Sequence, residues 1–229
     1  MDNNNFGSCS SSLILNFFKT LPPKFLMNPK TAIKQLKLLT ENIKEMRLAA
    51  EEWKSDFEIL ISTILSARTR DEMTIPVAEK LFKIYPTPKK LANAPINKVK
   101  LIIKPINFYK NKSKYIIACA KELLEQHGGK VPHDFDKLIE LSGVGRKTAN
   151  VFLAEHGKHA IPVDTHVFYI SRKLGWAKDK NPHKVEQELR QLFPKEYWNQ
   201  INSTLVRFGK TYTSRKQKDK ILNEIRKIK

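Results

Sequence analysis

Leu141-Ser142-Gly143-Val144-Gly145-Arg146-Lys147-Thr148-Ala149-Asn150 is the stretch that decides the fold of this chain. An apolar run at helical spacing, Phe135 to Leu141, stops where it begins, and a second helix starts at about Arg146. Glycines at 143 and 145 can take positive φ and leave their backbone N–H groups uncovered by side chains. A tight Gly-Val-Gly turn at a helix N-terminus is an anion cradle of the size of a phosphate. Val144 can tuck between the two helices and lock the hairpin. Any interhelical turn may use GxG, so the neighbouring residues have to carry the argument.

Lys147 lies in the first turn of the second helix, two residues past the cradle. The positive end of the helix dipole disfavours its ammonium form. An unperturbed lysine, with a pKa of ~10.4, is a free amine less than about one time in a thousand at neutral pH. The dipole and burial would both raise that fraction, as an amine nucleophile requires. Seventeen residues on comes Ile161-Pro162-Val163-Asp164-Thr165-His166. Asp164 follows apolar residues and precedes the periodic run Val167 to Leu174, which makes it a helix N-cap. The same carboxylate, held beside a phosphate-binding hairpin, can stabilise positive charge developing on a sugar. His166 is expected to be structural, hydrogen-bonded to nearby backbone.

Outward from these motifs the chain is helical almost throughout. Apolar residues recur at three- and four-residue spacing in Ile33-Leu36-Leu39-Ile43-Met46 and Phe57-Ile61-Ile64-Leu65. The runs Val77 to Tyr85, Val99 to Ile103, Tyr115 to Leu124, Val151 to His156, Val185 to Phe193 and Tyr197 to Phe208 follow the same rule. Gly and Pro fall between them, and no alternating strand pattern occurs, so the class is all-α with about ten short helices. A last helix from Lys216 to Lys229 has Ile221, Leu222, Ile225 and Ile228 on one face and cations on the other, which suits docking on the body. Residues 1–29 read as a flexible extension ending in prolines.

Forty-two Lys and Arg against 23 Asp and Glu give a net charge of +19, which favours a polyanionic partner because each neutralised phosphate releases a counterion. Two cysteines, Cys9 and Cys119, exclude a disulfide framework and a four-cysteine metal site within the chain. Leu13 to Phe18 is too short to span a bilayer and follows no basic segment, so no membrane role is expected. The setting expected is intracellular, the cytoplasm or nucleoid of a prokaryote.

LSGVGRKTANV and IPVDTH together resemble the helix–hairpin–helix (HhH-GPD) glycosylase superfamily, in its endonuclease III branch. The likeness continues in Phe57-Glu-Ile-Leu-Ile…Leu-Ser-Ala-Arg-Thr-Arg-Asp71, in Ile102-Ile-Lys-Pro-Ile-Asn-Phe-Tyr-Lys110 and in Glu125-Gln-His-Gly-Gly-Lys-Val-Pro132, covering about residues 30 to 215. It implies two helical subdomains flanking a DNA-binding cleft. One spans 53–156, with the hairpin at about 134–156; the other combines 30–52 with 157–229. It also implies a DNA glycosylase with AP lyase activity, acting as a monomer on double-stranded DNA that holds a damaged or abasic nucleotide. Lys147 would attack C1′ as the base leaves, Asp164 would assist from the opposite wall, and β-elimination through a Schiff base would nick the strand. Gly143, Val144, Gly145, Arg146 and Thr148 would contact DNA, with a monovalent cation as a candidate at the hairpin. Phe108 matches the family's apolar wedge, usually leucine, and Arg68 stands where glutamine commonly meets the orphaned base.

The chain departs from that pattern at its C-terminus. Where most relatives place four cysteines for a [4Fe–4S] cluster, Phe208-Gly-Lys-Thr-Tyr-Thr-Ser-Arg-Lys-Gln-Lys-Asp219 has none. The terminal helix is expected to pack in place of the cluster loop, with its lysines taking over the loop's phosphate contacts. Oxidised pyrimidines are the expected lesions. A mismatch or deaminated-base glycosylase, an enzyme that is chiefly an AP lyase, and a non-catalytic hairpin protein stay open as alternatives.

Overall fold

The computed structural model describes residues 27–228, and these form twelve α-helices, one short 3₁₀ turn and no strand. The helices are α1 (Pro29–Glu41), α2 (Asp56–Ser66), α3 (Asp71–Ile84), α4 (Pro88–Ala92), α5 (Ile96–Ile102) and α6 (Tyr109–His127). After them come α7 (Phe135–Glu140), α8 (Arg146–Glu155), α9 (Thr165–Leu174), α10 (Pro182–Leu192), α11 (Trp198–Thr211) and α12 (Arg215–Arg226). Residues 1–26 of the expected extension lie outside the described residues. Residues 27–29 do not belong to an extension: Met27 packs on an apolar core, Asn28 caps α1, and Pro29 opens it at the one position where a missing N–H costs nothing.

Three expectations about helix limits are corrected. The run from Ile33 was expected to stay helical through Met46, but α1 stops at Glu41, where the Asn42 side chain takes the Leu38 carbonyl at 2.7 Å and ends the ladder. Ile43 still packs against the core from the following loop. Helix α3 starts six residues before Val77, at Asp71, and carries Pro76 inside it; Asp71 and Glu72 favour that start by facing the helix dipole. Helix α4 was not expected. Five residues are too few to show a period, and its signals were only Thr87 as N-cap and Pro88 after it.

Two apolar cores divide the helices. Leu60, Leu65, Leu81, Ile103, Leu123 and Phe152 are among the fully enclosed side chains of the first, which α2 to α8 build. Leu36, Ile170, Leu189, Leu205 and Leu222 belong to the second, built by α1 and α9 to α12. The terminal helix docks as its pattern requires, with Leu222 and Ile225 buried against α1 and α9. Gln35 of α1 fixes it there. This fully buried amide donates to the Ile225 carbonyl at 3.2 Å and the Ile228 carbonyl at 3.4 Å, and accepts from the Trp176 indole at 2.7 Å. A buried amide with donors and acceptor all used is far less costly than one left open.

Between the cores run a few polar bonds. Arg207 of α11 grips both carboxylate oxygens of Glu51 at 2.7 Å. Glu186 of α10, almost fully buried, accepts from Arg146 at 2.9 and 3.1 Å and from Asn150 at 3.2 Å, and is ion-paired with Arg190 at 2.8 Å. The hairpin's second helix is therefore anchored to α10 through its first residue.

Candidate active site

The hairpin turn joins α7 to α8 as expected, but its two glycines do different things. Gly143 has φ +80°, and a Cβ there would stand 2.8 Å from the Cβ of Tyr115. Gly145 has an ordinary φ of −92° with open space where its Cβ would be. The expectation of positive φ thus holds at 143 and not at 145, where glycine instead leaves the approach to the helix start uncovered. Val144 is buried between the helices, its N–H bonded to the Leu141 carbonyl at 3.0 Å. No side chain caps α8, so the N–H groups of its first turn are available to an anion.

Lys147 is the second residue of α8, and its side chain is exposed. The helix-terminal setting is present; the burial expected alongside it is not. Thr148 is buried against the body of the hairpin. The Arg146 guanidinium is bound to Glu186 on two nitrogens and lies over the Phe135 ring at 4.8 Å, with its side chain still 43% exposed.

Asp164 caps α9, its Oδ1 accepting the Val167 N–H at 2.8 Å, while Oδ2 has no part in that bond. Asp164 and Lys147 line one cleft of about 1180 Å³ between the two cores, together with His166, Arg68, Asn107 and Lys210. That volume exceeds the few hundred Å³ of an ordinary small-molecule pocket and suits a nucleotide with its flanking backbone. His166 packs its ring on Gly209 of α11, not on the backbone acceptor expected for it. Burial holds its imidazole below the ordinary value; Asp164 opposes this, and Lys218, Lys210 and Lys147 reinforce it. Arg68, Arg70, Lys147 and Lys210 line the cleft together with the carboxylates of Asp71, Glu72, Glu155 and Asp164. Lys210 is paired with Asp71 and stands 3.9 Å from Glu72, both at the start of α3.

Arg68 and Phe108 meet at the rim. Both have left-handed backbone, φ 57° and 60°, which costs a non-glycine residue about 1–2 kcal/mol each. The Arg68 guanidinium lies 5.1 Å from the centre of the Phe108 ring, which is 56% exposed. Asn107 holds the two loops together, donating to the Arg68 carbonyl at 2.6 Å. Lys112 does so from below. Its buried amine donates to the carbonyls of Leu65 and Ala67 at 2.7 and 2.5 Å and to the Thr69 hydroxyl at 3.2 Å. Burial pushes the Lys112 pKa down to about 8. Lys112→Met keeps the length of the side chain but leaves those acceptors open, with an expected loss of roughly 2 kcal/mol. A melting temperature about 4–8 °C lower, read by calorimetry, checks it.

Lys112, Asn107, Lys210 and Glu186 were not singled out from the sequence. Little in their spacing marks them, because each has partners 36 to 139 residues away in the chain, and only the Glu186–Arg190 pair is local. Cys119 is buried in the first core, and burial raises its thiol to about 12, so it is chemically idle.

A hairpin that offers free N–H groups, a lysine one step inside it and a carboxylate across a nucleotide-sized cleft define a class of enzyme acting on the sugar of a nucleic acid. The family model described as HhH-GPD superfamily base excision DNA repair protein matches residues 61–195. Endonuclease III of Thermotoga maritima is 44% identical over 155 residues, 67% of this chain and 73% of that one. Endonuclease III of Bacillus subtilis is 37% identical over 183 residues, covering 78% and 84%. Among solved structures, a trapped endonuclease III–DNA covalent intermediate superposes with a TM-score of 0.76 at 32% identity, covering 82% of this chain and 89% of that one. A thermostable thymine-DNA glycosylase, 19% identical with a TM-score of 0.71, shares the fold. The chain belongs to the HhH-GPD superfamily of base excision DNA repair proteins, as an endonuclease III-like DNA glycosylase and AP lyase. Its two cysteines cannot supply a four-cysteine iron–sulfur cluster. No helix among the described residues is long and apolar enough to cross a membrane.

Proposed function

We propose that the cleft receives an oxidised pyrimidine nucleotide flipped out of double-stranded DNA, with Lys147 as nucleophile and Asp164 as its carboxylate partner. One observation carries this: Lys147 at the N-terminus of α8 and Asp164 at the cap of α9 line the same cleft from different cores. The Lys147 amine, once deprotonated, attacks C1′ as the C1′–base bond breaks and the departing base takes a proton. Opening of the sugar gives an imine on Nζ. Loss of a C2′ proton then expels the 3′ phosphate oxygen by β-elimination, nicking the strand. Asp164 stabilises the positive charge that builds on the sugar before the new bond forms. The capping bond through Oδ1 holds the carboxylate in place for this.

The hairpin N–H groups at Gly145 to Thr148 would take a phosphate, Gly143 and Val144 setting the shape of the turn. A monovalent cation at the hairpin belongs to the same reading. Phe108 fills the hole left by flipping, and its exposure at the rim supports that role. Arg68, stacked on it, meets the orphaned base, and an all-donor guanidinium favours guanine there. The lobes are 53–156 and 30–52 with 157–229; the exposed lysines of α12 add phosphate contacts beside the cleft. The protein acts as a monomer, in the cytoplasm or nucleoid of a prokaryote.

Incubation with duplexes holding an abasic site, thymine glycol, uracil or 8-oxoguanine, followed by borohydride reduction, tests the assignment. A trapped complex on the thymine glycol duplex is expected; trapping on the abasic duplex alone would leave only the lyase. Asp164→Asn retains the cap, since asparagine caps equally well. It is expected to slow base release roughly 10²–10³-fold with DNA affinity within about threefold. Single-turnover kinetics and a binding isotherm on the same duplex separate these; a variant that melts before it slows would make Asp164 a cap alone.

A further inference from the structure

Away from the cleft, three side chains from distant parts of the chain meet at one point. Asp56 is the first residue of α2, His133 lies between α6 and α7, and His156 follows the last residue of α8. His133 Nε2 is 2.7 Å from Asp56 Oδ2, and His156 Nε2 is 2.9 Å from Asp56 Oδ1. The two rings lie 4.3 Å apart, and one ligand-competent atom from each residue falls within 4.8 Å of the others. None of the three lines the cleft.

The second nitrogen of His156 fixes the orientation of its ring. His156 Nδ1 sits 2.8 Å from the Phe152 carbonyl, and a carbonyl only accepts, so Nδ1 carries the hydrogen. In neutral imidazole that leaves a lone pair on Nε2, aimed at a carboxylate that also only accepts. The 2.9 Å contact therefore needs a positive species, either a second proton on the ring or a metal ion between the ring and the carboxylate. The Nδ1–H bond to a backbone carbonyl is also how metal-bound histidines are oriented.

We propose that Asp56, His133 and His156 form a site for a divalent cation of the zinc type. Two imidazole nitrogens and one carboxylate oxygen suit Zn²⁺, Co²⁺ or Ni²⁺ and are poorly matched to Ca²⁺ or Mg²⁺. Bonds of ~2.0–2.1 Å in a tetrahedron place ligand atoms roughly 3.3 Å apart. The two imidazole nitrogens now contact different oxygens of Asp56, so the ligand atoms, at present within 4.8 Å of one another, draw together around the ion while the short contacts open. The Asp56 and His133 side chains are 45% and 38% exposed, which leaves the fourth position to water. Bound there, the ion ties the start of α2 to the approach and the far end of the hairpin. It acts on the stiffness of the hairpin and takes no part in the chemistry at Lys147.

The test uses the full chain, stripped with a chelator and returned to metal-free buffer, with ZnCl₂ and CoCl₂ as probes. Calorimetry in two buffers of different ionisation enthalpy is expected to show one Zn²⁺ per chain bound with release of protons. Saturating Zn²⁺ should raise the melting temperature by about 4 °C or more, and Co²⁺ should give visible d–d absorption. His133→Gln and His156→Gln should each weaken binding at least about tenfold. Asp56→Asn, which keeps the first residue of α2 polar, offers the same reading if the histidine variants fail to fold. Absence of uptake by the unaltered chain, or equal uptake by the variants, overturns the site.

Discussion

Lys147→Gln is expected to abolish the borohydride-trapped complex and to lower strand cleavage at an abasic site by at least about 10³-fold. Glutamine keeps a polar side chain of similar length at the second position of α8, so neither the Gly145 start of the helix nor the Val144 plug is disturbed. The amine is all that is lost. Lys147 is exposed and makes no ion pair among the described residues, so its removal has little to cost the fold. Melting temperature should stay within about 2 °C. Affinity for an abasic-analogue duplex should fall less than about tenfold, as one phosphate-side cation among many is removed. Trapping on acrylamide gels and an anisotropy titration on the same preparation tell the outcomes apart. A variant that binds normally and still traps would move the nucleophile to another residue.

The second large effect falls on the turn. Gly143→Ala puts a methyl group where φ is +80°, a cost of about 1–2 kcal/mol for any residue with a Cβ. That methyl would stand 2.8 Å from the Cβ of Tyr115 and 3.3 Å from its Cγ. A Cβ cannot rotate away, so α6 or the hairpin must move, adding about 1–3 kcal/mol of overpacking. Together these predict roughly 3 kcal/mol, a melting temperature about 6–12 °C lower, and at least a tenfold weaker grip on any duplex. Gly145→Ala is the control. Its φ is ordinary and its Cβ would meet nothing within 4 Å, so stability should hold within about 0.5 kcal/mol. If Gly145→Ala nevertheless weakens DNA binding, the open face of the turn is where the phosphate sits. Equal stability for both variants would contradict the close approach of Tyr115.

Local sequence carried much of this molecule and missed a definable part. The hairpin limits, the inward Val144 and the capping role of Asp164 could all be read, because each follows from residues within four positions of one another. Helix α12 was legible for the same reason: Leu222 and Ile225 share one face. The stop of α1 at Glu41 was not, because Ile43 and Met46 continue the apolar period while the Asn42 side chain ends the helix. The pairing of Arg146 with Glu186 is not legible either, because the two lie forty residues apart. Lys112 looked like one basic residue among many until its amine was seen beneath the loop of Arg68. Side chains whose partners lie far along the chain were invisible, and they set the rim of the cleft.

Gln35 has a further consequence for the order in which the protein is made. Its partners, the carbonyls of Ile225 and Ile228, are translated about 190 residues after it. The first core needs nothing beyond residue 160 and can close while the ribosome is still at work. The second must wait, with Leu36 and Leu39 uncovered, until the final helix emerges and meets α1. Asp164 lies in that half, so the carboxylate wall of the cleft depends on contacts between residues some 190 positions apart, whereas Lys147 rests on a core closed within residues 57–160.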